Sequence, residues 1–204
     1  MSTDFCSSKT KENLMRAFAG ESQARNRYTH AQEQAEQKKL FVLADLFKFT
    51  ADQEKEHAMI FYNHLKECAG ETIQIDGGYP VDIADHLDEL LNMAAHNEYE
   101  EFDDVYPAFA KVAREEGFSR IAQDFENIAK IEKYHGDRFK SFAQLIEQNK
   151  LFKSDESELW YCLNCGYILE STEAPQVCPV CSEPQGYYIR LSMTPWTLIT
   201  INNA

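Results

Sequence analysis

The chain has 204 residues, which is enough for one helical bundle and a small additional module. Its formal net charge is −14, and no segment concentrates Lys and Arg, so a nucleic-acid partner is excluded because phosphate binding depends on clustered basic side chains. Residues 1–10 lack the apolar stretch of a signal peptide, and nowhere does a run of about 18 apolar residues predict a membrane span. We therefore expect a cytoplasmic protein that binds neither nucleic acid nor membrane.

Helical periodicity extends over most of the first three quarters of the chain and is broken at short glycine-containing or polar segments. Four helices are predicted, over residues 10–37, 39–67, 85–116 and 119–148. Pro107 lies inside the third helix and is expected to kink or bulge it, because proline has no backbone N–H to donate.

The composition changes after the fourth helix to Cys, Gly, Pro and alternating aromatic residues, which predicts short strands. The predicted fold class is mainly α: a four-helix bundle followed by a small domain of strands and knuckles. The expected division is a bundle over residues 1–148, a polar linker over 149–158 and the small domain over 159–204.

Each predicted helix carries an apolar seam at spacings of three and four residues, and Glu or His side chains interrupt every seam. The interruptions repeat in two halves: Glu21 then Glu54-x-x-His57, and Glu98 then Glu132-x-x-His135. The separations between the two glutamates of each half are 33 and 34 residues. The bundle is therefore interpreted as a duplicated helical hairpin.

Buried carboxylates are costly to desolvate unless a cation neutralises them. Two Glu-x-x-His pairs plus one Glu from each remaining helix form the ligand set of a di-metal carboxylate bundle, with iron or manganese as the metals. By symmetry, the predicted bridging ligands are Glu54 and Glu132, with Glu21 and His57 on one metal and Glu98 and His135 on the other. Taken singly, any of these side chains is more often part of a hydrogen-bonded core.

Glu101 breaks the symmetry, because the matching position three residues after Glu21 is Ala24. It is the seventh predicted ligand, and its extra charge favours binding to the oxidised metal pair. Tyr28 lies two turns after Glu21 on the same face, where its phenol either donates a hydrogen bond toward the site or only fills the core. The remaining histidines, His30, His64, His86 and His96, are interpreted as structural or exposed.

Four cysteines form two Cys-x-x-Cys pairs that are 12 residues apart, and this spacing predicts one tetrahedral metal site. The predicted ligands are Cys162, Cys165, Cys178 and Cys181. A structural zinc ribbon is one interpretation, but iron is favoured beside a di-iron bundle because zinc has no redox chemistry. Cys6 and Cys68 are expected to be ordinary thiols.

These motifs resemble rubrerythrins. The resemblance rests on Glu21-Ser-Gln-Ala-Arg-Asn-Arg-Tyr28, Glu54-Lys-Glu-His57, Glu98-Tyr-Glu-Glu101, Tyr106-Pro107, Glu116-Gly-Phe118, Glu132-Lys-Tyr-His135 and the two cysteine knuckles. It spans about residues 10–190, whereas the tail after Arg190 continues beyond the family pattern and has no functional explanation.

The resemblance implies a ferritin-like bundle that holds two non-haem irons and a rubredoxin-like small domain that holds one iron on the four cysteines, with zinc possible there in a recombinant protein. It implies an NADH-linked peroxidase that reduces hydrogen peroxide to water and receives electrons from rubredoxin or an NAD(P)H-dependent reductase. Tyr28 and Tyr106 match site-lining tyrosines, and Glu101 is expected to replace His57 as a ligand on oxidation. A homodimer is implied, in which the four-cysteine iron of one subunit serves its partner's di-iron site.

Three alternatives remain open at the level of sequence. A ferroxidase or iron-storage protein uses a similar bundle but needs a many-subunit cage and no electron-transfer module. A dioxygen-reducing oxidase uses the same ligands. A non-enzymatic interaction protein with a zinc ribbon leaves the seam glutamates unexplained.

Overall fold

The structure is a computed structural model that describes residues 4–195. Two long helices form the first hairpin, α1 (Lys9–Gln37) and α2 (Phe41–His64). The Ser8 hydroxyl caps α1 by accepting a hydrogen bond from the Lys11 N–H at 3.0 Å. Lys39 turns the chain between the helices with a φ of 57°. The second helix therefore begins later than predicted, and it ends earlier in a 3₁₀ turn, Leu65–Cys68.

The second hairpin pairs an interrupted helix with α5 (Ser119–Glu147). The interrupted helix consists of α3 (Leu87–Glu100), a π-helical turn (Glu101–Val105) and α4 (Tyr106–Glu115). The π turn ends immediately before Tyr106-Pro107, so the predicted bulge beside the proline is confirmed. Gly117 then reverses the chain into α5 with a φ of 93°, a conformation that glycine adopts without steric cost.

A long connection without regular structure joins the two hairpins and follows the surface of α1. Arg16 donates to the carboxylate of Asp76 at 2.6 Å, and Arg27 pairs with Asp82. Gln34 donates to the backbone carbonyl of Ala84 at 3.1 Å. Polar side chains spaced along one face of α1 thus fix this connection, which crosses the bundle as expected for a ferritin-like fold.

The bundle core is divided into two apolar clusters by a layer of buried polar side chains. The cluster nearer the α1–α2 turn includes Leu43, Phe47, Leu91 and Phe139. The cluster at the other end includes Leu14, Phe61, Tyr106 and Phe125. The polar layer contains six seam residues that are each no more than 5 % exposed: Glu21, Glu54, His57, Glu98, Glu132 and His135. Glu101 lies outside this set and is half-buried.

The small domain is a three-stranded antiparallel sheet in the order β2-β1-β3. Its strands are β1 (Lys153–Cys162), β2 (Ile168–Glu173) and β3 (Tyr188–Arg190). The fully buried Trp160 anchors its core and donates its indole N–H to the Ser171 carbonyl at 3.0 Å. The predicted fold class, a helical bundle followed by a small strand domain, is confirmed.

The strand β1 begins at Lys153, inside the stretch 149–158 that the sequence predicts as a linker. The side chains of residues 153–158 are polar and mostly exposed, so this part of the sequence did not predict a strand. Arg190 closes this junction by donating to the carbonyls of Lys150 and Lys153 at 2.6 and 2.5 Å. The guanidinium group also lies over the Trp160 ring, 4.8 Å from its centroid.

The small domain packs on the bundle of its own chain beside the α1–α2 turn. The Tyr187 ring stacks on Phe41 with centroids 4.1 Å apart. Gly186 lies directly against the backbone carbonyl of Lys39, and Ile189 belongs to the bundle's apolar cluster. Within the described residues, none of the helices combines the length and apolar character needed to cross a membrane. Of the tail after Arg190, residues 196–204 lie outside the described residues.

Candidate metal centres

Six of the seven predicted bundle ligands meet in the buried polar layer. Their donor atoms form two groups, and within each group all atoms lie within 4.8 Å of one another. One group is Glu21, Glu54, His57 and Glu132, and the other is Glu54, Glu98, Glu132 and His135. Because two glutamates belong to both groups, the layer offers two adjacent metal positions with two shared carboxylates.

The contacts of the two histidines show the symmetry of the layer. His57 Nδ1 lies 3.1 Å from Glu54 Oε2 and 3.0 Å from Glu132 Oε1. His135 Nδ1 lies 2.9 Å from Glu54 Oε1 and 2.8 Å from Glu132 Oε2. Each shared glutamate thus presents one oxygen to each imidazole, which is the arrangement that bridging carboxylates require.

The terminal carboxylates complete each group. Glu21 Oε2 lies 3.8 Å from His57 Nδ1, and Glu98 Oε2 lies 3.5 Å from His135 Nδ1. Several buried atoms of the layer lack a hydrogen-bond partner of good geometry although they face one another: Glu21 Oε2, Glu54 Oε1, Glu98 Oε2, both Glu132 oxygens and His135 Nδ1. Buried donors and acceptors left without partners in this number fit a pair of cations.

In the metal-free layer, neighbouring carboxylates repel one another, and this repulsion shifts their pKa values. Burial and the neighbouring Glu54 raise the pKa of Glu98 to about 8, and burial with Glu132 and Glu54 raises the pKa of Glu21. Burial lowers the pKa of His57, but the facing carboxylates outweigh it and raise the value to about 10. Without metal, the layer therefore holds protons that cations would displace.

Each terminal carboxylate also accepts a hydrogen bond from a buried tyrosine. The Tyr28 hydroxyl donates to Glu98 Oε1, and the Tyr106 hydroxyl donates to Glu21 Oε1. Burial raises the pKa of both phenols, so both remain protonated donors. Tyr28 therefore touches a predicted ligand, which core packing alone does not explain.

The π turn explains why the two tyrosines follow the terminal glutamates of their own hairpins at different distances in sequence. Tyr28 follows Glu21 by seven residues, whereas Tyr106 follows Glu98 by eight. A π turn adds one residue to a helix, so the turn Glu101–Val105 brings Tyr106 to the position that Tyr28 occupies in the other hairpin. The sequence duplication thus extends to the tyrosines once this insertion is included.

Glu101 is the predicted ligand that the structure places outside both groups. It begins the π turn and is half-buried, and its carboxylate faces the backbone of Gly20 on α1. A cavity of about 230 Å³ lies beside it, lined also by Gly20, Tyr79 and Tyr106. Burial and the neighbouring carboxylates raise the pKa of Glu101, so in the metal-free layer it favours the protonated form.

Gln53 is a polar partner that the sequence did not reveal. Its side-chain oxygen lies 3.0 Å from His135 Nε2. When that nitrogen carries the proton and donates it to Gln53, Nδ1 is left with a free lone pair directed at the carboxylates. The only sequence signal for Gln53 was its position next to Glu54 on α2. Because glutamine is common on exposed helix faces, that position did not predict a contact with a ligand. His64 lies outside the layer and contacts Asp124 at 2.8 Å.

The four predicted cysteine ligands meet between the two knuckles of the small domain. Their sulfurs lie within 4.8 Å of one another, with Cys162 and Cys181 3.8 Å apart and Cys165 and Cys178 3.7 Å apart. A tetrahedral metal with bonds of about 2.3 Å requires sulfur separations of about 3.8 Å. The cluster therefore fits one tetrahedral ion, and geometry alone suits iron and zinc equally.

The cysteines differ in their pKa values: burial raises the pKa of Cys162 to about 12, whereas Cys178 favours the thiolate. Burial raises the pKa of Cys178, but the Tyr188 hydroxyl and the backbone N–H groups of Val180 and Cys181 lower it to about 6. Gly166 adopts a φ of 78° after the first knuckle, and Ser182 adopts a φ of 62° at the matching position of the second. Cys165 is exposed, so the cluster reaches the protein surface.

Comparisons with known proteins agree with these two sites. The family model described as Rubrerythrin matches residues 12–143, and the model described as Rubrerythrin, rubredoxin-like domain, matches residues 160–189. The chain belongs to the rubrerythrin family. The cofactors of a rubrerythrin are a di-iron site and one iron on four cysteines, and this chain presents donors for both. Rubrerythrins are generally oxidoreductases.

Individual relatives cover nearly the whole chain. The rubrerythrin of Clostridium perfringens is 46% identical over 181 residues, covering 88% of this chain and 93% of the relative. The rubrerythrin of Nitratidesulfovibrio vulgaris is 40% identical over 181 residues, covering 89% and 93%. A solved structure of nigerythrin in a mixed-valence state has 29% identity and a TM-score of 0.60, covering 93% of this chain and 94% of that one.

Proposed function

We propose that this rubrerythrin is a peroxidase that reduces hydrogen peroxide to water at a di-iron site and receives electrons through iron on its four cysteines. The observation that carries the proposal is the pair of donor groups sharing Glu54 and Glu132, in a chain that also gathers four cysteine sulfurs at the surface of a second domain. Storage or structural roles do not require both features.

The residue roles follow the symmetry of the contacts. Glu54 and Glu132 would bridge the irons, because each faces both histidines. The terminal ligands would be Glu21 and His57 on one iron and Glu98 and His135 on the other. The two tyrosine hydroxyls would orient the terminal carboxylates, since each donates to the oxygen that does not face the histidine.

The number of electrons favours peroxide as the oxidant. Bound iron supplies one electron per ion, so a di-iron pair provides the two electrons that convert hydrogen peroxide and two protons to two molecules of water. Dioxygen needs four electrons for the same product. A single oxidation of the pair therefore matches peroxide, and dioxygen would require a second round of electron delivery.

Glu101 is the residue that we assign to proton delivery and ligand exchange. Its carboxyl lies at the wall of the cavity from which a small oxidant would enter, and there it would carry the proton to be delivered. In the oxidised protein, the charged carboxylate would hold iron in place of His57. The arrangement with His57 inside the layer and Glu101 outside supports such an exchange.

Electrons would enter at the small domain. The exposed Cys165 and the exposed side chains of Val177 and Val180 form an apolar surface around the cysteine cluster, which suits docking of rubredoxin or an NAD(P)H-dependent reductase. A homodimer is proposed as well, with transfer from the cysteine iron of one subunit to the di-iron site of its partner.

The test is to reduce the iron-loaded protein anaerobically and add stoichiometric hydrogen peroxide or dioxygen in separate stopped-flow runs. Reoxidation of the four-cysteine iron reports electron flow, and about three irons per chain are expected. Fast reoxidation by peroxide supports the proposal. Faster reaction with dioxygen would identify an oxidase, and zinc without iron would refute an electron-transfer role.

Variants separate the two sites. Glu132→Ala should abolish peroxide turnover and leave the spectrum of the four-cysteine iron intact, because the ligand sets are separate. Glu33→Ala is the matched control, since this side chain is 62% exposed on α1. Unchanged turnover in Glu132→Ala chains of normal helical content would contradict the di-iron mechanism.

Mixed dimers test the route between subunits. Glu132→Ala chains and Cys178→Ser chains are each expected to be inactive alone. Coexpressed with different tags and purified as a heterodimer, they regain turnover if the cysteine iron of the first serves the di-iron site of the second. Failure to regain turnover, with both metal sites loaded, would place electron transfer within one chain.

A further inference from the structure

Two cysteines outside both metal centres lie in contact at the far end of the bundle. Cys6 belongs to the 3₁₀ turn Phe5–Ser7, and Cys68 ends the 3₁₀ turn after α2. Their Sγ atoms are 2.6 Å apart, although the residues are 62 positions apart in sequence. The two sulfurs are thus about half an ångström from the length of a disulfide bond, about 2.05 Å.

Contacts that do not involve sulfur hold the segment of Cys6 in place. The Phe5 ring packs edge-on against Phe118, with centroids 5.4 Å apart. The Lys11 ammonium donates to the Cys6 carbonyl at 2.6 Å. Glu116 accepts hydrogen bonds from the Thr10 N–H and hydroxyl at 2.8 and 2.6 Å. The sulfur contact therefore belongs to a fixed part of the fold.

We propose that Cys6 and Cys68 form a reversible disulfide when a peroxide oxidises them, with Cys6 reacting first. Cys6 is half-buried, whereas Cys68 is 4% exposed, so a small oxidant reaches Cys6 more easily. Burial, Cys6 and Glu71 raise the pKa of Cys68 to about 11, so Cys68 remains a thiol while Cys6 reacts. Neither cysteine belongs to the bundle ligands or to the four-cysteine cluster.

The reaction balances in two steps. The Cys6 thiol loses its proton, its thiolate attacks one oxygen of hydrogen peroxide, and the O–O bond breaks. Cys6 becomes a sulfenic acid, and the departing hydroxide takes up the proton and leaves as water. The Cys68 sulfur then attacks the Cys6 sulfur, the S–O bond breaks, and a second water leaves. Together, two thiols and one peroxide give one disulfide and two waters. A dithiol reductant reverses the bond by exchange.

The alternative use of these sulfurs is metal binding. Glu71 brings a carboxylate oxygen within 4.8 Å of both sulfurs, which makes three donors. Structural zinc sites use four protein ligands, and Glu71 itself is exposed. Three donors with one at the surface make a weak site, whereas two sulfurs in contact are already placed for a disulfide.

The experiment uses the oxidised, iron-loaded full chain without an electron donor, so that the di-iron site does not turn over. Stoichiometric hydrogen peroxide is added, free thiols are alkylated, and peptides are mapped by mass spectrometry. We expect a peptide pair joined through Cys6 and Cys68 whose mass is lower by two hydrogens, and we expect dithiothreitol to abolish it. The oxidised chain should also show a higher melting temperature than the reduced chain.

Single variants define the order of reaction. In Cys68→Ser, sulfenic acid should accumulate on Cys6 and be trapped by dimedone. In Cys6→Ser, Cys68 should remain alkylatable at the same peroxide concentration. Serine is close to cysteine in size, and melting temperatures of the reduced variants show whether each one folds.

Two outcomes would overturn the proposal. One is full alkylation of both cysteines after excess peroxide in a correctly folded chain. The other is the binding of one additional zinc ion per chain by the reduced protein, lost in the Cys6→Ser, Cys68→Ser double variant, which would make this a metal site.

Discussion

Replacing Gly186 by alanine tests how the small domain is held on the bundle. A Cβ at this position would lie 1.9 Å from the Lys39 carbonyl oxygen and 3.0 Å from its carbon. Both are backbone atoms, so no side-chain rotation relieves the overlap, and the two domains have to separate locally. The backbone of Gly186 itself is compatible with alanine, because its φ is not in the left-handed region.

The expected cost combines two effects. Overpacking against a fixed backbone costs about 1–3 kcal/mol. Separation also removes the stacked contact between Phe41 and Tyr187, and such aromatic pairs contribute about 0.5–1.5 kcal/mol beyond their buried area. We therefore expect a loss of about 2–4 kcal/mol, which corresponds to a melting temperature lower by about 5 °C or more in a chain of this size.

Three measurements check the result for Gly186→Ala. The melting temperature should fall, protease cleavage within residues 149–152 should accelerate, and the spectrum of the four-cysteine iron should remain unchanged because the knuckles are not touched. Gly78→Ala is the matched control, since an added Cβ there has no atom within 4 Å. If Gly186→Ala matches the control in stability and protease resistance, the packing of the small domain on its own bundle is not the arrangement in solution.

Three further changes test the core and the polar layer. Phe61→Ala, at a fully buried position, should cost about 3–5 kcal/mol in urea unfolding, and a smaller loss would mean that the core collapses around the cavity. Tyr106→Phe removes the donor to Glu21 and should weaken iron retention against a chelator about tenfold or more, whereas the exposed Tyr134→Phe should not. In the metal-free folded protein, the pKa is about 8 for Glu98 and about 10 for His57, and both values exceed those of the unfolded chain. Between about pH 5 and 10, these two groups therefore bind more protons in the folded chain than in the unfolded chain. The unfolding free energy should therefore fall with rising pH in this window, by about 1.4 kcal/mol per pH unit for each proton, and a flat profile in urea titrations would contradict these pKa values.

The ligand layer was predictable because desolvation limits where charged side chains occur. A glutamate on an apolar helical seam is costly, and its repetition at Glu21 and Glu98, each with a following Glu-x-x-His pair, leaves few explanations other than metal. The structure brings all six of these side chains into one layer. Local spacing was sufficient here because each pair lies on one helical face.

Features that depend on distant contacts were not predictable. Cys6 and Cys68 meet only because the N-terminal turn folds over the end of α2, and neither has a local motif. The first half of β1 is polar and mostly exposed, so its residues show no alternation that predicts a strand. Gln53 acts through one hydrogen bond to a ring on another helix. In each case the partner lies far away in sequence.

From the departure from symmetry between the two hairpins, we infer where the proposed oxidant would react. The π turn preserves the tyrosine contact of the second hairpin, since Tyr106 donates to Glu21 as Tyr28 donates to Glu98. The same turn places Glu101 beside the cavity, whereas the matching residue of the first hairpin is Ala24, which is buried and cannot carry a proton. A protonatable carboxyl and a cavity therefore lie together beside Gly20, the residue that precedes Glu21. The first hairpin has neither a matching carboxyl nor a π turn among the described residues. We therefore expect Glu101→Gln to slow peroxide turnover while the iron content stays unchanged.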